Sequence, residues 1–133
     1  MRIKLLFIVL CVYSICNGQQ DERMSLMIFV EVLNDNKEEA IFYYQNNWGA
    51  MADLGIERGL MESHQILETP YSEEAPYHLI LIVTFFNEEQ YDNREEPYFE
   101  LLKEIGPEKL MNDKKPDEFR KELYKKRRVK HLH

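Results

Sequence analysis

Two segments of the sequence are apolar on both faces when they are read as β-strands, and they constrain the fold more than any other feature. They are "SLMIFVEVL" at residues 25–33 and "YHLILIVTFF" at residues 77–86. Alternate side chains of a strand point to opposite faces of its sheet, and a sheet face in water should be largely polar. Since neither segment alternates, both faces of the sheet they form need cover.

The regions between and after these segments predict an α+β domain. Residues 37–58 carry apolar side chains three or four positions apart, which predicts a helix that ends at Gly59. A more polar strand is expected over residues 60–68. A second helical region, interrupted at Pro97, is expected over residues 88–105. This β-α-β-β-α order is that of a ferredoxin-like antiparallel sheet, whose first and third strands are central.

The last part of the chain is basic, and its role has several readings. Residues 114–133 hold nine lysine and arginine side chains against three acidic ones. This extension, from about residue 107, can supply a fourth strand near residues 123–132, dock on the acidic body or on a partner subunit, or remain a free tail. Attraction of residues 125–130 to an anionic membrane surface is a more distant alternative.

The first 18 residues have the layout of a secretory signal peptide. Arg2 and Lys4 precede an apolar run at residues 5–15, which is too short for the roughly 20 residues that span a bilayer. Small residues then allow cleavage after Gly18. We therefore expect export to the periplasm or the extracellular space, no transmembrane segment, and one mature domain over residues 19–133.

Cleavage would also change the chemistry open to the protein. Both cysteines, Cys11 and Cys16, lie in the leader, so the mature chain would have no disulfide and no thiol nucleophile. Two of the 17 basic side chains and none of the 24 acidic ones would be lost, which leaves a net charge of about −9. Such an acidic exported chain is not expected to bind nucleic acid. A lipoprotein anchored through Cys16 is the alternative to soluble export.

The second apolar face of the sheet is expected to be covered by another copy of the chain. The first strand carries Leu26, Ile28, Val30 and Val32 on one face and Met27, Phe29, Glu31 and Leu33 on the other, and the third strand is likewise apolar on both faces. Packing two such faces together would bury both. The alternative is that the C-terminal segment folds across the open face of its own sheet.

Residues 24–99 resemble the dimeric α/β-barrel superfamily, which includes antibiotic-biosynthesis-type monooxygenases, stress-responsive barrel proteins and the NIPSNAP and EthD groups. The resemblance rests on "SLMIFVEV", the helix ending "LGIERGL", the strand "MESHQIL" and the hairpin into "YHLILIVTFF". It implies two ferredoxin-like sheets facing each other in a homodimeric barrel. It also implies a small apolar or aromatic ligand, haem included, held between sheet and helices. Some members oxidise their ligand without a metal or flavin, and no cofactor is predicted here.

The candidate catalytic residues are one glutamate and two histidines. Glu31 is the one charge in an otherwise apolar strand, and a buried carboxylate suits a general base. His64 shares a strand face with Glu62, which suggests a loose metal or acid–base set with His78 on the neighbouring strand. If Glu68 pairs with Tyr77, however, the two histidines lie on opposite faces. No metal site is therefore predicted.

The candidate ligand contacts are Phe29, Glu62 and Trp48. Trp48 belongs to "YYQNNW", residues 43–48, where Tyr44 and Trp48 fall on the apolar helix stripe. We expect them to join the helix to the sheet, with Trp48 at most as the roof of a pocket. Two functions stay open: an exported small-molecule binder, including a cofactor-independent oxygenase-like enzyme, and a non-catalytic homodimer with a basic docking segment.

Overall fold

The computed structural model describes residues 20–132, so the predicted leader at residues 1–18 lies outside the described part. The strands are β1 (Met24–Val32), β2 (Ser63–Glu68), β3 (Leu79–Phe85) and β4 (Arg120–Lys130). The helices are α1 (Lys37–Tyr43), α2 (Ala50–Glu57), α3 (Glu88–Asp92), α4 (Glu95–Ile105) and α5 (Pro116–Phe119), with a π-helical turn (Tyr44–Gly49) between α1 and α2. In this part of the chain, no helix is long and apolar enough to cross a membrane.

The four strands form one antiparallel sheet in the order β2-β3-β1-β4. This confirms the ferredoxin-like fold, with the two most apolar strands in the centre. The C-terminal segment is the fourth strand and pairs with β1 along most of its length. Phe119, which is fully buried, anchors the start of β4, and its carbonyl accepts a hydrogen bond of 2.9 Å from the Leu33 N–H.

Two basic side chains of the C-terminal segment, Lys114 and Arg128, form ion pairs with the acidic body. The Lys114 ammonium lies 2.7 Å from the Glu39 carboxylate, and the Arg128 guanidinium lies 2.6 Å from Asp92 and also contacts Glu88. β4 is an edge strand, and most of its other charged side chains are exposed. Lysine and arginine there disfavour pairing with a foreign strand.

The β2–β3 hairpin has a register two residues away from the expected one. Glu68 pairs with Leu79, and His64 with Val83. Because the shift is an even number of residues, each side chain keeps the face it was expected to have. His64 lies on the helix-covered face and His78 has the parity of the open face, so the two histidines remain separated.

The first long helix contains a π-helical turn at Tyr44–Gly49, which the sequence pattern does not predict. The side-chain amides of Asn46 and Asn47 each donate 2.8 Å hydrogen bonds to the carbonyl oxygens four residues earlier. Such local side-chain bonds compete with the regular backbone ladder. The buried stripe of Tyr44, Met51 and Gly55 is otherwise as expected.

The second helical region is interrupted, as expected. The break falls at Asn93, and Pro97 lies in the first turn of α4, where a missing N–H costs nothing. Asn87 caps α3 by accepting a 2.8 Å bond from the Gln90 N–H. The Gln90 side chain accepts in return from the Phe86 N–H at 3.1 Å. Gly59 follows α2 with φ of +70°, as expected of a residue that ends a helix.

The helices cover one face of the sheet in two apolar clusters. One cluster joins the ends of β1 and β3 to α2, α3 and α4, and the other joins their middle to α1, the π-helical turn and α5. The opposite face of the sheet, called here the open face, has no helix on it. Its apolar side chains include Met27, Ile80 and Ile82, all partly exposed, and Leu67, which is 41% exposed.

Candidate functional site

A cavity of about 610 Å³ lies on the helix-covered side, between the sheet, α2 and α4. Its apolar wall includes Leu26, Ile28, Val83 and Phe85 from the sheet and Met51 from α2. Trp48 also lines it. Below the cavity α4 packs on α2, where Leu101 approaches Gly55.

The mouth of the cavity carries aromatic rings. Tyr98 and Phe99 of α4 line it, are 38% and 57% exposed, and pack edge to face with ring centroids 5.8 Å apart. Partial burial raises the pKa of the Tyr98 hydroxyl, and the Glu122 carboxylate raises it further. Tyr98 therefore stays a neutral donor at physiological pH.

The mouth is also charged. Arg94 and Glu95 contribute from the α3–α4 side, and Glu122, Lys125 and Arg127 from β4. These β4 side chains reach the helix-covered side because of irregular pairing with β1, which shifts between Phe29 and Val30 and again between Ser25 and Met27. An apolar interior with a few polar groups at its rim is the usual form of a small-molecule site.

The structure places the predicted catalytic residues outside this cavity. His64 Nε2 lies 2.7 Å from the Asp53 carboxylate, and its ring packs edge to face against Trp48 at 5.5 Å. Glu31 lies on the open face, paired in register with Lys121. His78 Nδ1 accepts a 2.9 Å hydrogen bond from the Val32 N–H, and its ring stacks on Tyr71 at 5.0 Å.

Two of the three predicted ligand contacts also lie outside the cavity. Phe29 lies on the open face, stacked on Tyr124 at 4.6 Å and edge to face with Tyr77 at 4.8 Å. Glu62 precedes β2 and lies 3.6 Å from the Arg23 guanidinium. Of the three, Trp48 alone lines the cavity. Within residues 20–132, no group of three or more histidine, cysteine or acidic side chains is placed to hold a metal ion.

A buried polar network closes one end of the open face. The Ser25 hydroxyl lies 2.7 Å from Thr84 Oγ1 and 2.7 Å from His131 Nε2. Ser25 and Thr84 are nearly inaccessible, at 2% and 4% exposure. The network ties the end of β4 to β1 and β3, and its burial leaves no room for a substrate at Ser25.

Sequence reasoning missed Tyr98, Phe99 and the charged side chains of β4 as components of a site. A weak signal existed: Tyr98 and Phe99 are adjacent, so one helix face cannot bury both. The β4 residues carried no such signal, because their orientation depends on the irregular pairing with β1.

Comparisons with known proteins add one structural neighbour. No family model and no curated protein matches the chain. A solved structure from Bacteroides fragilis NCTC 9343, described as a dimeric protein of unknown function with a ferredoxin-like fold, is similar. It aligns with a TM-score of 0.44 and 12% sequence identity, over 81% of this chain and 97% of that one.

Proposed function

We propose that this protein binds a small apolar or aromatic molecule in the cavity between the sheet, α2 and α4. The observation that carries the proposal is the cavity itself. Its volume of about 610 Å³ lies within the roughly 300–1,000 Å³ typical of small-molecule sites. Its walls are apolar, and the polar groups gather at the mouth. A molecule inserted there would shield Leu26 and Tyr98, which are partly exposed, from water.

Trp48 provides a direct readout, since it is the single tryptophan of the chain and lines the cavity. We expect the anionic dye 8-anilinonaphthalene-1-sulfonate to change Trp48 emission on binding. Native mass spectrometry of protein purified from its own host should also show a retained ligand. Protein that carries no ligand and leaves Trp48 emission unaltered by the dye would contradict the proposal.

Filling the cavity gives a second test. Ala52 is fully buried and lines the cavity, so Ala52→Phe should reduce dye binding at least tenfold. Ala50→Phe is the matched control, because Ala50 lies on the same helix outside the lining. Leu26→Phe fills the cavity from the sheet side, in case Ala52→Phe does not fold. Circular dichroism verifies folding before each titration.

Oxygenase-like turnover is a separate proposal on the same site. It would require a base beside the ligand. The carboxylates in the lining are Glu122 and Glu95, and Glu31, His64 and His78 are all elsewhere. Oxygen uptake by the ligand-loaded protein, abolished in Glu122→Gln, would support turnover. Binding without oxygen uptake would contradict turnover and leave ligand binding as the function.

We also propose a homodimer through the open face, arranged as in the dimeric α/β-barrel proteins. Its support is the row of partly exposed Met27, Ile80 and Ile82 on the two central strands. A monomer would leave this apolar row in water. In analytical ultracentrifugation, Ile82→Lys should reduce the mass to that of one chain. Gln45→Lys, on an exposed helix position, should not. A wild-type monomer at micromolar concentration would exclude this arrangement.

Export remains a proposal as well, supported by the basic, apolar and small-residue order of residues 1–18. The intact mass and N-terminal sequence of the protein from its host test it. Soluble export predicts a chain that begins at Gln19, and a lipoprotein predicts one that begins at a modified Cys16. An uncleaved chain retaining Met1 would contradict both.

A further inference from the structure

The charged mouth of the cavity selects among the ligands that its apolar interior would accept. Three cations and two carboxylates line it, from Arg94, Glu95, Glu122, Lys125 and Arg127. A charged group that already contacts another group of the protein is less able to bind a ligand than one that does not. The inference below rests on the proposed binding function and specifies the chemistry of the ligand.

Two of the cations are engaged within the protein. The Arg94 guanidinium lies 4.0 Å from the centre of the Tyr91 ring and donates a 2.7 Å hydrogen bond to the Tyr91 carbonyl. The Lys125 ammonium lies 3.5 Å from the Glu122 carboxylate. The opposite charges of Lys125 and Glu122 largely cancel at the mouth. Glu95 lies in the first turn of α4, where the helix dipole favours a carboxylate.

The Arg128 guanidinium is paired with acidic side chains of the protein, and that of its neighbour Arg127 is paired with none in the described part of the chain. Both lie in the irregular stretch of β4 between the pairs Met27–Lys126 and Ser25–Val129. Arg128 has a positive φ of 54°, and its guanidinium contacts Glu88 and Asp92 on α3. Arg127 turns to the cavity, and its guanidinium has no ion pair or hydrogen bond with any residue in the described range 20–132.

We propose that the ligand is an amphipathic carboxylate. Its apolar part occupies the cavity beside Trp48 and Met51, and its carboxylate lies at the mouth against Arg127. A planar guanidinium binds a carboxylate through two parallel hydrogen bonds, which makes arginine well suited to this role. Tyr98 can add a neutral donor on the opposite side of the mouth.

The test compares three ligands that share one tail. Dodecanoate, dodecan-1-ol and dodecylammonium are titrated below their micellar concentrations, with Trp48 emission and calorimetry as readouts. We expect dodecanoate to bind about tenfold more tightly than the alcohol, as for a charge-assisted hydrogen bond, and the ammonium to bind most weakly. Across decanoate to tetradecanoate, affinity should rise by at most about fourfold per methylene group until the cavity is full.

Variants locate the carboxylate. Arg127→Gln should weaken dodecanoate about fivefold and leave the alcohol unchanged, and added salt should reduce the difference. Lys126→Gln is the matched control, because Lys126 is adjacent in β4 but pairs with Met27 on the open face. It should bind both ligands as the wild type does.

The outcomes separate the two proposals. If none of the three ligands binds, the cavity is not a binding site and the proposed function fails. If the alcohol or the ammonium binds as tightly as dodecanoate, or if Arg127→Gln has no effect, the cavity binds ligands but the carboxylate assignment is wrong. If the affinity for dodecanoate falls as the protein concentration rises, a second copy of the chain competes for the mouth of the cavity. That result would overturn the inference.

Discussion

The two faces of the sheet bury similar side chains to different extents. On the helix-covered face, Val30 and Leu81 are 0% exposed, and Leu79 is 1% exposed. On the open face, Ile80 and Ile82 alternate with Leu79 and Leu81 along β3 but stay partly exposed. Strand sequence therefore does not distinguish the faces. The helices distinguish them, and the second apolar face is left available for a partner.

The largest expected effect comes from truncation at neighbouring positions of β3. Leu81→Ala should lower the free energy of unfolding by about 3 kcal/mol, because it leaves a cavity in a closed core. Ile82→Ala should cost less than about 1.5 kcal/mol at low protein concentration. Urea denaturation measures both. Equal losses at low concentration would show that the open face is as well packed as the other one.

The next effect concerns a satisfied polar group on the open face. Ser25→Ala removes two hydrogen bonds of 2.7 Å and leaves the Thr84 hydroxyl buried without its partner. We expect a loss of about 1 to 2 kcal/mol. Ser63→Ala, at an exposed position of β2, is the control and should change little. Thermal unfolding by calorimetry compares the two, and an unchanged midpoint for Ser25→Ala would rule out a stabilising network.

Removing a polar group from the helix-covered face is expected to raise stability rather than lower it. Tyr44 is 2% exposed, its hydroxyl has no hydrogen-bond partner within residues 20–132, and burial raises its pKa. Tyr44→Phe should therefore stabilise the fold by up to about 1 kcal/mol. Above pH 10, the wild type should lose stability that the variant keeps, since ionisation then favours the unfolded chain. A destabilised Tyr44→Phe protein would mean that the hydroxyl has a partner.

The smallest effect concerns the contact between the C-terminal segment and α1. The Lys114 ammonium, the backbone and the Asn112 amide hold the pKa of Glu39 below its usual range. The lowered pKa means that the contact stabilises the fold fully above about pH 4.5, and that this stabilisation is lost as pH falls through the folded-state pKa.

Unfolding measured between pH 2 and pH 6 checks this contact. Glu39→Gln should flatten the acid limb of the profile, and the control Glu38→Gln, at an exposed position of the same helix, should keep it. An identical acid limb for Glu39→Gln and the wild type would place the pH dependence elsewhere.

The sequence predicted the parts of the fold that depend on local chemistry. Their high apolar content identified β1 and β3 as the central strands, Gly59 marked the end of α2, and Pro97 marked an interruption between α3 and α4. These inferences hold because steric and backbone hydrogen-bonding preferences act within a few residues. The apolar character of both sheet faces was also readable, since it needs only the alternation of side chains along a strand.

The tertiary structure decided everything that depends on how distant segments pair. The register of β2 on β3 differs by two residues from the expectation, and the shifts along β4 turn Lys125 and Arg127 to the cavity. Pairing energies are spread over many contacts between segments far apart in the chain, so no local pattern encodes them. For the same reason, the sequence indicated Trp48 as the roof of a pocket but did not indicate α4, which lines the same cavity.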